Sequence, residues 1–373
     1  MIGWHQMQSK SKKLIASERT PQADSGRRVT LRELAEALGL SRTTISMILN
    51  DLPEATRFPE ETRRRVLESA KNLGYRPNYF ARSLGKKRSF LIGAIAPDFG
   101  NGYEAALLSG FERHLLNTGY ASFISNHFWS ESFLERHVKT LCDRGVEGLL
   151  LIDSTPAESP GVPAVTICTD RSPKWCSGVS IDNAFGIREA INHLVGLGHR
   201  EIAFIKGPVG NGDTENRWNA VLATCKNLDL RVDPRLTVQI ERIERHSEEG
   251  RIAAQKLLRG GRRFTALVAY NDVSALGAMT ALREASLKVP EDVSVMGFDD
   301  IEFASFANPP LTTIRQPLQE MGAKAAELLI SKIADDKSVK SICVRPELVV
   351  RSSTCPPRLA AAKGKRSSAT SPR

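Results

Sequence analysis

Between residues 90 and 334, short apolar runs alternate with longer segments of amphipathic helical pattern, and this alternation leaves few folds open to the chain. It predicts strand–helix–strand units and therefore a parallel, doubly wound α/β sheet. About 265 residues are too many for one such sheet with loops of ordinary length, so we expect two lobes with a cleft between them. The predicted strands are 90–96, 121–125, 147–152, 164–168, 201–205, 265–270 and 293–297. The predicted helices are 104–117, 131–144, 184–197, 215–227, 247–259, 272–285 and 317–334.

Residues 29–76 have a purely helical pattern instead. Thr30 and Glu33 form a capping box, and the apolar stripe that follows ends at Gly39, which favours the left-handed conformation of a helix C-cap. Ser41 can cap a second helix after a turn of about three residues, which is the arrangement of a helix-turn-helix. The third helix is expected over 59–73, with Pro59 in its first turn and one apolar face made of Val66, Leu67, Ala70 and Leu73.

Positive charge is concentrated at the two ends of the chain. The formal net charge is +10, and residues 1–90 contain 18 Lys and Arg against 9 Asp and Glu. Residues 91–355 contain 29 Lys and Arg against 33 Asp and Glu, and residues 356–373 contain 5 Lys and Arg and no Asp or Glu. A basic head on a mildly acidic body indicates that the head meets a polyanion, with nucleic acid first and an anionic membrane surface second. Residues 1–28 and 356–373 are polar, basic and aperiodic, so we expect both to be disordered.

Several function classes are disfavoured by motifs that the sequence lacks. No run of ~18 apolar residues predicts a membrane span, and no apolar stretch near the start suits a signal peptide, so we expect a cytoplasmic protein. The six cysteines have no C-x-x-C spacing and read as reduced thiols, with a zinc site or disulfides as the alternative. There is no nucleophile elbow, P-loop or G-x-G-x-x-G fingerprint, and the histidines pair with no plausible nucleophile. We therefore expect neither an enzyme nor a cofactor or metal.

The second helix of a helix-turn-helix enters the major groove, and its first exposed side chains meet base edges. Arg42, Thr43 and Met47 hold those positions here. A guanidinium can bind guanine through O6 and N7, a threonine can contact a thymine methyl, and a methionine offers apolar contact. Phosphate or sugar contacts are expected from Ser41, Ser46 and Asn50.

Residues 75–85 predict a second DNA-contacting element. Pro77 breaks the preceding helix and Asn78 can cap a short new one, which places Ala81 and Leu84 on one face within a basic stretch. One or two turns of isolated helix are unstable alone, so an exposed Leu84 suits a wedge in the minor groove. The alternatives are a linker whose leucine packs on the neighbouring domain and, for the three helices, a small bundle with a solvated basic face.

The sequence resembles the lac repressor/galactose repressor (LacI/GalR) family of bacterial regulators. The resemblance runs in order through about 28–355. It rests on VTLRELAEALGLSRTTISMILN at 29–50, ETRRRVLESAKNLGYRPNYFARSL at 61–84, LIGAIAPD at 91–98, RGVEGLLLIDS at 144–154, LGHREIAFIKGP at 197–208, YND at 270–272, VPEDVSVMGFDD at 289–300 and PPLTTIRQP at 309–317. An ordered series of this kind is far more specific than any single motif.

The resemblance implies an all-α helix-turn-helix headpiece followed by a two-lobed, periplasmic-binding-protein-like α/β body. Family members are mostly repressors that bind double-stranded, pseudo-palindromic operator DNA as homodimers. A small effector, most often a sugar or sugar derivative, would lie between the lobes and control DNA binding allosterically. The implied divisions are a headpiece at 29–76, a hinge at 77–89, and a body at 90–355 with lobe one at about 90–187 and 317–346 and lobe two at about 188–316 and 347–355.

The resemblance also implies roles for single residues in DNA binding. Arg42, Thr43 and Met47 occupy the base-reading positions, and Leu84 is the lever of the hinge helix in the minor groove. Met47 stands where relatives often place an arginine that reads guanine, so the operator should differ there. Further DNA contacts are expected from Thr30, Ser41, Thr44, Ser46, Asn50, Tyr75, Asn78, Ala81 and Arg82.

In the cleft, Arg217, Asn271 and Asp299 match the family's ligand-contacting residues, a set that suits the vicinal hydroxyls of a polyol. The alternatives are a surface position on a helix for Arg217, a helix cap for Asn271 and a strand-end turn for Asp299. Cys168 replaces an aspartate and Arg245 lies close to the position of a stacking aromatic, and these exchanges predict an anionic effector such as a sugar acid or sugar phosphate. The full set of expected effector contacts is Arg217, Asn271, Asp299, Asp98, Arg245 and Cys168.

Two other classes of protein remain as alternatives. The lobes alone would suit a cytoplasmic or exported solute-binding protein that feeds a transporter, but the basic head argues against it. The other alternative is an α/β enzyme, but the sequence lacks the nucleophile elbow, the P-loop and the G-x-G-x-x-G fingerprint.

Overall fold

The computed structural model describes residues 29–75, 88–167, 173, 175–209, 212–241, 246–334 and 340–358. The chain forms two compact units that divide between Lys87 and Arg88. Residues 356–358, expected in a disordered tail, are described, and Arg358 forms an ion pair with Asp292 at 2.8 Å. The predictions for residues 1–28, Asn78, Ala81, Arg82, Leu84, Cys168 and Arg245 lie outside the described residues.

The first unit contains the predicted helix-turn-helix. Its described elements are α1 (Leu31–Leu38), α2 (Arg42–Leu49), a 3-10 turn (Pro53–Arg57) and α3 (Glu60–Asn72). Thr30 and Glu33 form the expected capping box, and Gly39 ends α1 with a φ of 64°. Ser41 caps α2 by accepting the amide of Thr44 at 3.0 Å. The local signals at both helix ends therefore specify this turn.

Helix α3 buries less of its surface than the sequence predicts. Val66 and Ala70 are buried in the headpiece core, but Leu67 is 52% exposed and Leu73 is 45% exposed. Successive residues on a helix point roughly 100° apart, so Leu67 cannot share the face of Val66 when only two short helices pack against α3. Pro59 occupies the N-cap position instead of the first turn.

The second unit contains two six-stranded sheets, which confirms the predicted doubly wound architecture. Its strands are β1 (Leu91–Ala96), β2 (Ala121–Asn126), β3 (Gly148–Ile152), β4 (Ala164–Ile167), β5 (Ser177–Ile181), β6 (Ile202–Lys206), β7 (Thr237–Gln239), β8 (Ala266–Ala269), β9 (Ser294–Asp299), β10 (Thr312–Arg315), β11 (Ile342–Val344) and β12 (Glu347–Val349). The first sheet has the order β11–β5–β4–β3–β1–β2, and the second has the order β12–β10–β9–β8–β6–β7. The described pairs are parallel apart from β10 with β12.

Helices cover both faces of each sheet. The described helices of this unit are α4 (Tyr103–Leu115), α5 (Glu131–Asp143), α6 (Asn183–Gly196), α7 (Gly212–Asn227), α8 (His246–Arg259), α9 (Asp272–Glu284), α10 (Glu302–Phe306) and α11 (Leu318–Ile333). Helices α4 and α11 pack on one face of the first sheet and α5 on the other. Helices α8 and α9 pack on one face of the second sheet, and α6 and α7 on the other. Each lobe thus has its own two-sided core.

The chain passes between the two sheets three times. The first passage is at Asp182 and not near residue 187, because α6 packs against the second sheet, where a side-chain carbon at Gly186 would meet Phe298 and Ile314. The later passages lie between β10 and α11 and between β11 and β12. Three connections between the lobes create a cleft whose walls come from distant parts of the sequence.

The sequence prediction missed β5, β7, β10, β11 and β12. Three of them, β7, β11 and β12, are sheet edges of three residues each. Such short segments give too few residues for an alternating pattern to be visible. Their pairing partners, and not their own sequences, place them in the sheets.

Helices α4 and α11 approach each other closely through glycine. A side-chain carbon at Gly110 would lie well inside van der Waals contact of the Gln319 carbonyl oxygen, and one at Gly322 would meet a carbonyl of α4 in the same way. Gly250 and Gly277 join α8 to α9 in the second lobe by the same kind of contact. Each lobe therefore contains a helix pair at a spacing that only glycine allows.

Candidate functional site

The second helix of the headpiece presents the predicted base-reading residues. Arg42 and Thr43 are exposed at the start of α2, and Met47, one turn further on, is half-buried. Ile45 and Ile48 of the same helix are buried in the headpiece core. Helix α2 therefore has an apolar face that fixes its position and an exposed face that can enter a groove.

The other predicted DNA contacts in the headpiece also hold the helices together. Asn50 donates from Nδ2 to the carbonyl oxygen of Ser46 at 2.8 Å, and Tyr75 packs against the headpiece core. Hydrogen bonds within or beside the helices are made by Thr30, Ser41, Thr44, Ser46 and Asn50. Their local role is structural, and contact with DNA phosphate remains a prediction for them.

In the second unit, polar side chains collect where strands of both sheets end. Asp153 follows β3, Tyr270 and Asn271 follow β8, and Asp299 is the last residue of β9. The carboxyl ends of parallel strands are where open α/β sheets bind ligands. A cleft lies there, and its lining includes residues of α4 and α7 as well.

Arg217 of α7 forms the centre of the second-lobe wall, and its side chain is buried. Its Nε donates to Oδ1 of Asn183 at 2.9 Å, and one terminal nitrogen donates to the Tyr270 carbonyl oxygen at 2.7 Å. The other terminal nitrogen lies 3.9 Å from Asp213 and 3.7 Å from Asp299. Arg217 is thus not a surface residue of its helix, because it balances two carboxylates inside the cleft.

Asp299 and Asn271 line the cleft and also stabilise local structure. Oδ1 of Asp299 accepts Nε2 of Gln316 at 2.7 Å, and its φ of 118° is rare for a residue with a side chain. Burial raises the pKa of Asp299 to about 7, although the Arg217 guanidinium opposes the shift. Oδ1 of Asn271 caps α9 by accepting the amide of Ser274 at 2.9 Å. Asp299 and Asn271 therefore stabilise local structure and line the cleft at the same time.

Two further carboxyls face the cleft from the first lobe. Glu104, in the first turn of α4, is 2% exposed, and its Oε2 has no hydrogen-bond partner among the described residues. Burial, together with the charges of Asp98 and Asp299, raises the pKa of Glu104 to about 8. Burial and the charges of Asp213 and Glu104 raise the pKa of Asp153 well above its ordinary value. Burial is the largest cause of both shifts, and the neighbouring carboxyls act in the same direction.

The described lining of the cleft is acidic. It contains the carboxyls of Glu104, Asp153, Asp213 and Asp299 against one guanidinium, that of Arg217. An anion would meet these carboxyls and find only the Arg217 guanidinium, which already lies beside Asp213 and Asp299, so this part of the cleft does not favour the anionic effector predicted from the sequence. That prediction rested on Cys168 and Arg245, which lie outside the described residues.

Sequence reasoning missed most of the acidic wall. Asp153 could have been found, because it directly follows the apolar run of β3 at the ligand-binding edge of the sheet. Asn183 and Asp213 could not be identified from the sequence, because their contacts with Arg217 and with each other form only in the folded protein. The predicted contact Asp98 accepts the amide of the next residue at 2.7 Å and so closes its own loop.

Replacing Glu104 by Gln should stabilise the protein at high pH. An ordinary glutamate titrates near 4.5 and the folded Glu104 near 8, so the folded state keeps a proton that the unfolded chain loses, and stability falls as the pH rises through this range. We expect Glu104→Gln to raise the free energy of unfolding by about 1–3 kcal/mol at pH 9 and by less than about 0.5 kcal/mol at pH 4.5. Urea unfolding at both pH values checks this. Glu158→Gln, an exposed carboxyl of the same lobe, is the control, and an equal change at both pH values contradicts the prediction.

Neither a metal-ligand cluster nor a membrane-spanning helix occurs in the described ranges. No group of three or more His, Cys, Asp or Glu is placed there to hold a metal ion. No described helix is long and apolar enough to cross a bilayer. The described cysteines Cys142, Cys176, Cys225, Cys343 and Cys355 are free thiols.

The chain is similar to known proteins over both units. Residues 191–354 match the protein family described as a periplasmic binding protein-like domain. The chain is 32% identical over 341 residues to the HTH-type transcriptional regulator DegA of Bacillus subtilis (strain 168), covering 88% of this chain and 99% of that protein. It is 32% identical over 336 residues to the HTH-type transcriptional repressor PurR of Haemophilus influenzae, covering 87% of this chain and 98% of that protein.

Solved structures show the same relationship. The lac repressor dimer bound to operator and the anti-inducer ONPF is 26% identical with a TM-score of 0.79, covering 88% of this chain and 100% of that chain. The complex of the transcriptional regulator CelR with cellobiose is 27% identical with a TM-score of 0.66, covering 87% of this chain and 100% of that chain. Regulators that match this chain across its helix-turn-helix and its two lobes show that the protein belongs to the LacI/GalR family of HTH-type transcriptional regulators.

Proposed function

We propose that this protein is a transcriptional repressor, without enzymatic activity, that binds operator DNA in the cytoplasm and is controlled by a small effector in the cleft of its body. One observation carries the proposal: α2 is capped at Ser41 and presents Arg42 and Thr43, in a chain that HTH-type repressors match nearly end to end. The body alone would suit a solute-binding protein. A capped recognition helix with an arginine at its start has no use in such a protein.

The exposed face of α2 has the chemistry for reading bases in the major groove. Arg42 can bind O6 and N7 of one guanine with two parallel hydrogen bonds, which no other base pair accepts in the same geometry. Thr43 can contact a thymine methyl, and Met47 adds apolar contact. The basic balance of residues 1–90 supplies attraction to phosphate that does not depend on sequence.

The cleft supplies the second site that allosteric control requires. Its second-lobe wall combines the guanidinium of Arg217, the side-chain amide of Asn271 and the carboxyl of Asp299, which together can bind adjacent hydroxyls. The similar regulator CelR has been solved in complex with cellobiose, and a LacI family transcriptional regulator from Enterococcus faecium has been solved with bound ribose. A ligand that prefers one arrangement of the lobes shifts the equilibrium toward it, and this differential affinity can be coupled to DNA binding.

The operator-bound form is proposed to be a homodimer, as the lac repressor is described. Strand β2 is an edge of the first sheet, and Phe123 and Ile124 on it are 42% and 48% exposed. Leu116, which precedes the strand in the chain, and Phe128, which follows it, are 79% and 64% exposed. An apolar edge of this kind favours a partner, and a second copy of the chain would provide the second recognition helix for a two-fold symmetric site.

Duplex selection from a random library tests the proposed function. The full-length protein should enrich a two-fold symmetric sequence with a G·C pair at one position of each half-site. Arg42→Ala should weaken binding to that duplex by roughly 10–100-fold and relax the preference at that position, because a bidentate guanine contact is worth about 1–3 kcal/mol.

Lys139→Ala serves as the charge-matched control, since Lys139 is 78% exposed on α5 of the body. Its affinity for the selected duplex should equal that of the unaltered protein. No enrichment over random competitor at physiological salt would refute the proposed function. Equal selection by Arg42→Ala would refute the base-reading role of that residue.

A further inference from the structure

Glu104 is not explained by the roles assigned so far. Glu104 is only 2% exposed, and it lines the cleft. Its Oε2 accepts no hydrogen bond from the described residues. A buried carboxyl oxygen without a hydrogen-bond partner destabilises a protein, because it loses hydration without compensation. A partner that arrives from solution would remove this cost.

The charges around Glu104 indicate the sign of such a partner. Arg217 lies within 4.0 Å of Asp213 and Asp299 and so balances the second-lobe carboxyls. Glu104 and Asp153, on the first-lobe wall, have no cation within ion-pair distance among the described residues. The first-lobe side of the cleft therefore holds two carboxyls without a counter-charge, and a bound cation would stabilise their ionised forms.

We propose that the effector is a cationic small molecule whose protonated amine is bound by the carboxylates of Glu104 and Asp153. This inference rests on the proposed function, since it names the chemical class of ligand that controls the repressor. The second-lobe residues Arg217 and Asp299 would bind polar groups on the remainder of the molecule. The effector is thus an amine that also carries hydroxyl or other neutral polar groups.

An ammonium group suits this wall better than a hydroxyl does. It brings three N–H donors and one positive charge, whereas a hydroxyl brings one donor and no charge. Two carboxylates offer several acceptor positions, which one hydroxyl cannot fill. Tyr103 and Trp129 also line the cleft, and the faces of such rings attract cations.

Matched pairs of compounds that differ in one amine test the proposal on the full-length protein. The pairs are D-glucosamine with D-glucose, D-galactosamine with D-galactose, and 1,5-diaminopentane with 1,5-pentanediol, in phosphate buffer free of other amines. Thermal shift and titration calorimetry measure binding. At least one amine should raise the melting temperature and bind at least tenfold more tightly than its neutral partner, because a ligand that binds the folded state stabilises it. Equal binding within every pair, tighter binding of the neutral members, or no binding by any compound overturns the proposal.

Isosteric variants then identify which carboxylates are responsible for the preference for the amine. Glu104→Gln and Asp153→Asn should each reduce the preference for the amine at least tenfold, while the affinity for the neutral partner changes less than threefold. Glu158→Gln, an exposed carboxyl of the same lobe, should keep the full preference. An amine preference that survives in both cleft variants overturns the assignment to these carboxylates.

Duplex selection on the same preparation separates this inference from the proposed function. If the protein selects a symmetric duplex but shows no amine preference, the repressor assignment stands and the cationic effector is refuted. If it binds the amine but selects no duplex, the amine site stands and the repressor assignment is refuted.

Discussion

Arg217→Ala is expected to lower the free energy of unfolding by about 3–5 kcal/mol at pH 8.5, the largest loss from removing a single charge in the body. The substitution leaves Asp213 and Asp299 buried without their counter-charge, and it removes the donors to Asn183 and to the Tyr270 carbonyl. The loss should shrink at pH 6. Asp299 already titrates near 7 with Arg217 present, so without the guanidinium it is protonated and neutral at pH 6 and needs no counter-charge.

Urea unfolding at the two pH values measures both parts of this prediction. Arg259→Ala is the control, because Arg259 is exposed in the last turn of α8 of the same lobe. It should change the free energy of unfolding by less than about 0.5 kcal/mol at either pH. A loss below about 1 kcal/mol for Arg217→Ala, or a loss that does not depend on pH, is incompatible with the buried charge network described above.

Gly110→Ala is expected to cost about 3 kcal/mol, although it adds only one methyl group. The new carbon would overlap the carbonyl oxygen of Gln319, which is backbone and cannot rotate away. Helices α4 and α11 would have to separate, and the core between them contains Phe111 and Leu329, both fully buried. Glu104 lies at the start of α4, so the displacement should also weaken ligand binding in the cleft.

Gly196→Ala provides the matched control at the end of α6. Apart from the backbone of its own helix and its chain neighbours, no atom of the described residues lies within 4 Å of the position that its side-chain carbon would occupy. Alanine favours the helix over glycine, so this variant should be neutral or more stable by roughly 0.5 kcal/mol. Similar denaturation midpoints for the two glycine variants would show that the α4–α11 contact is not as close as described.

The helix-turn-helix of the headpiece could be predicted from the sequence, because its signals are local. The capping box at Thr30, the left-handed Gly39 and the cap at Ser41 lie within one short stretch of chain, and each acts on its immediate neighbours. The main strands and helices of the body were equally visible in the apolar pattern. Leu67 was misplaced, because its exposure depends on how much of α3 the other two helices cover.

The interactions of the cleft residues depend on contacts between distant segments of the chain. Arg217, Asn271 and Asp299 were predicted from the resemblance, but their interaction with Asn183 and Asp213 is formed only when α6, α7, β8 and β9 converge. Glu104 carries no mark in the sequence that distinguishes it from an exposed glutamate at the start of a helix. Its burial against the carboxyls of the other lobe makes it unusual.

Local capping signals and apolar periodicity were enough to predict the helix-turn-helix and the α/β class of the body, and the resemblance of an ordered series of motifs indicated the regulator family. The charge of the cleft was not accessible in this way. It depends on carboxyls that are far apart in the chain and meet because three connections bring two sheets together at their strand ends. Electrostatic interaction varies with distance in space and with burial, and neither quantity is encoded in the spacing of residues along the chain.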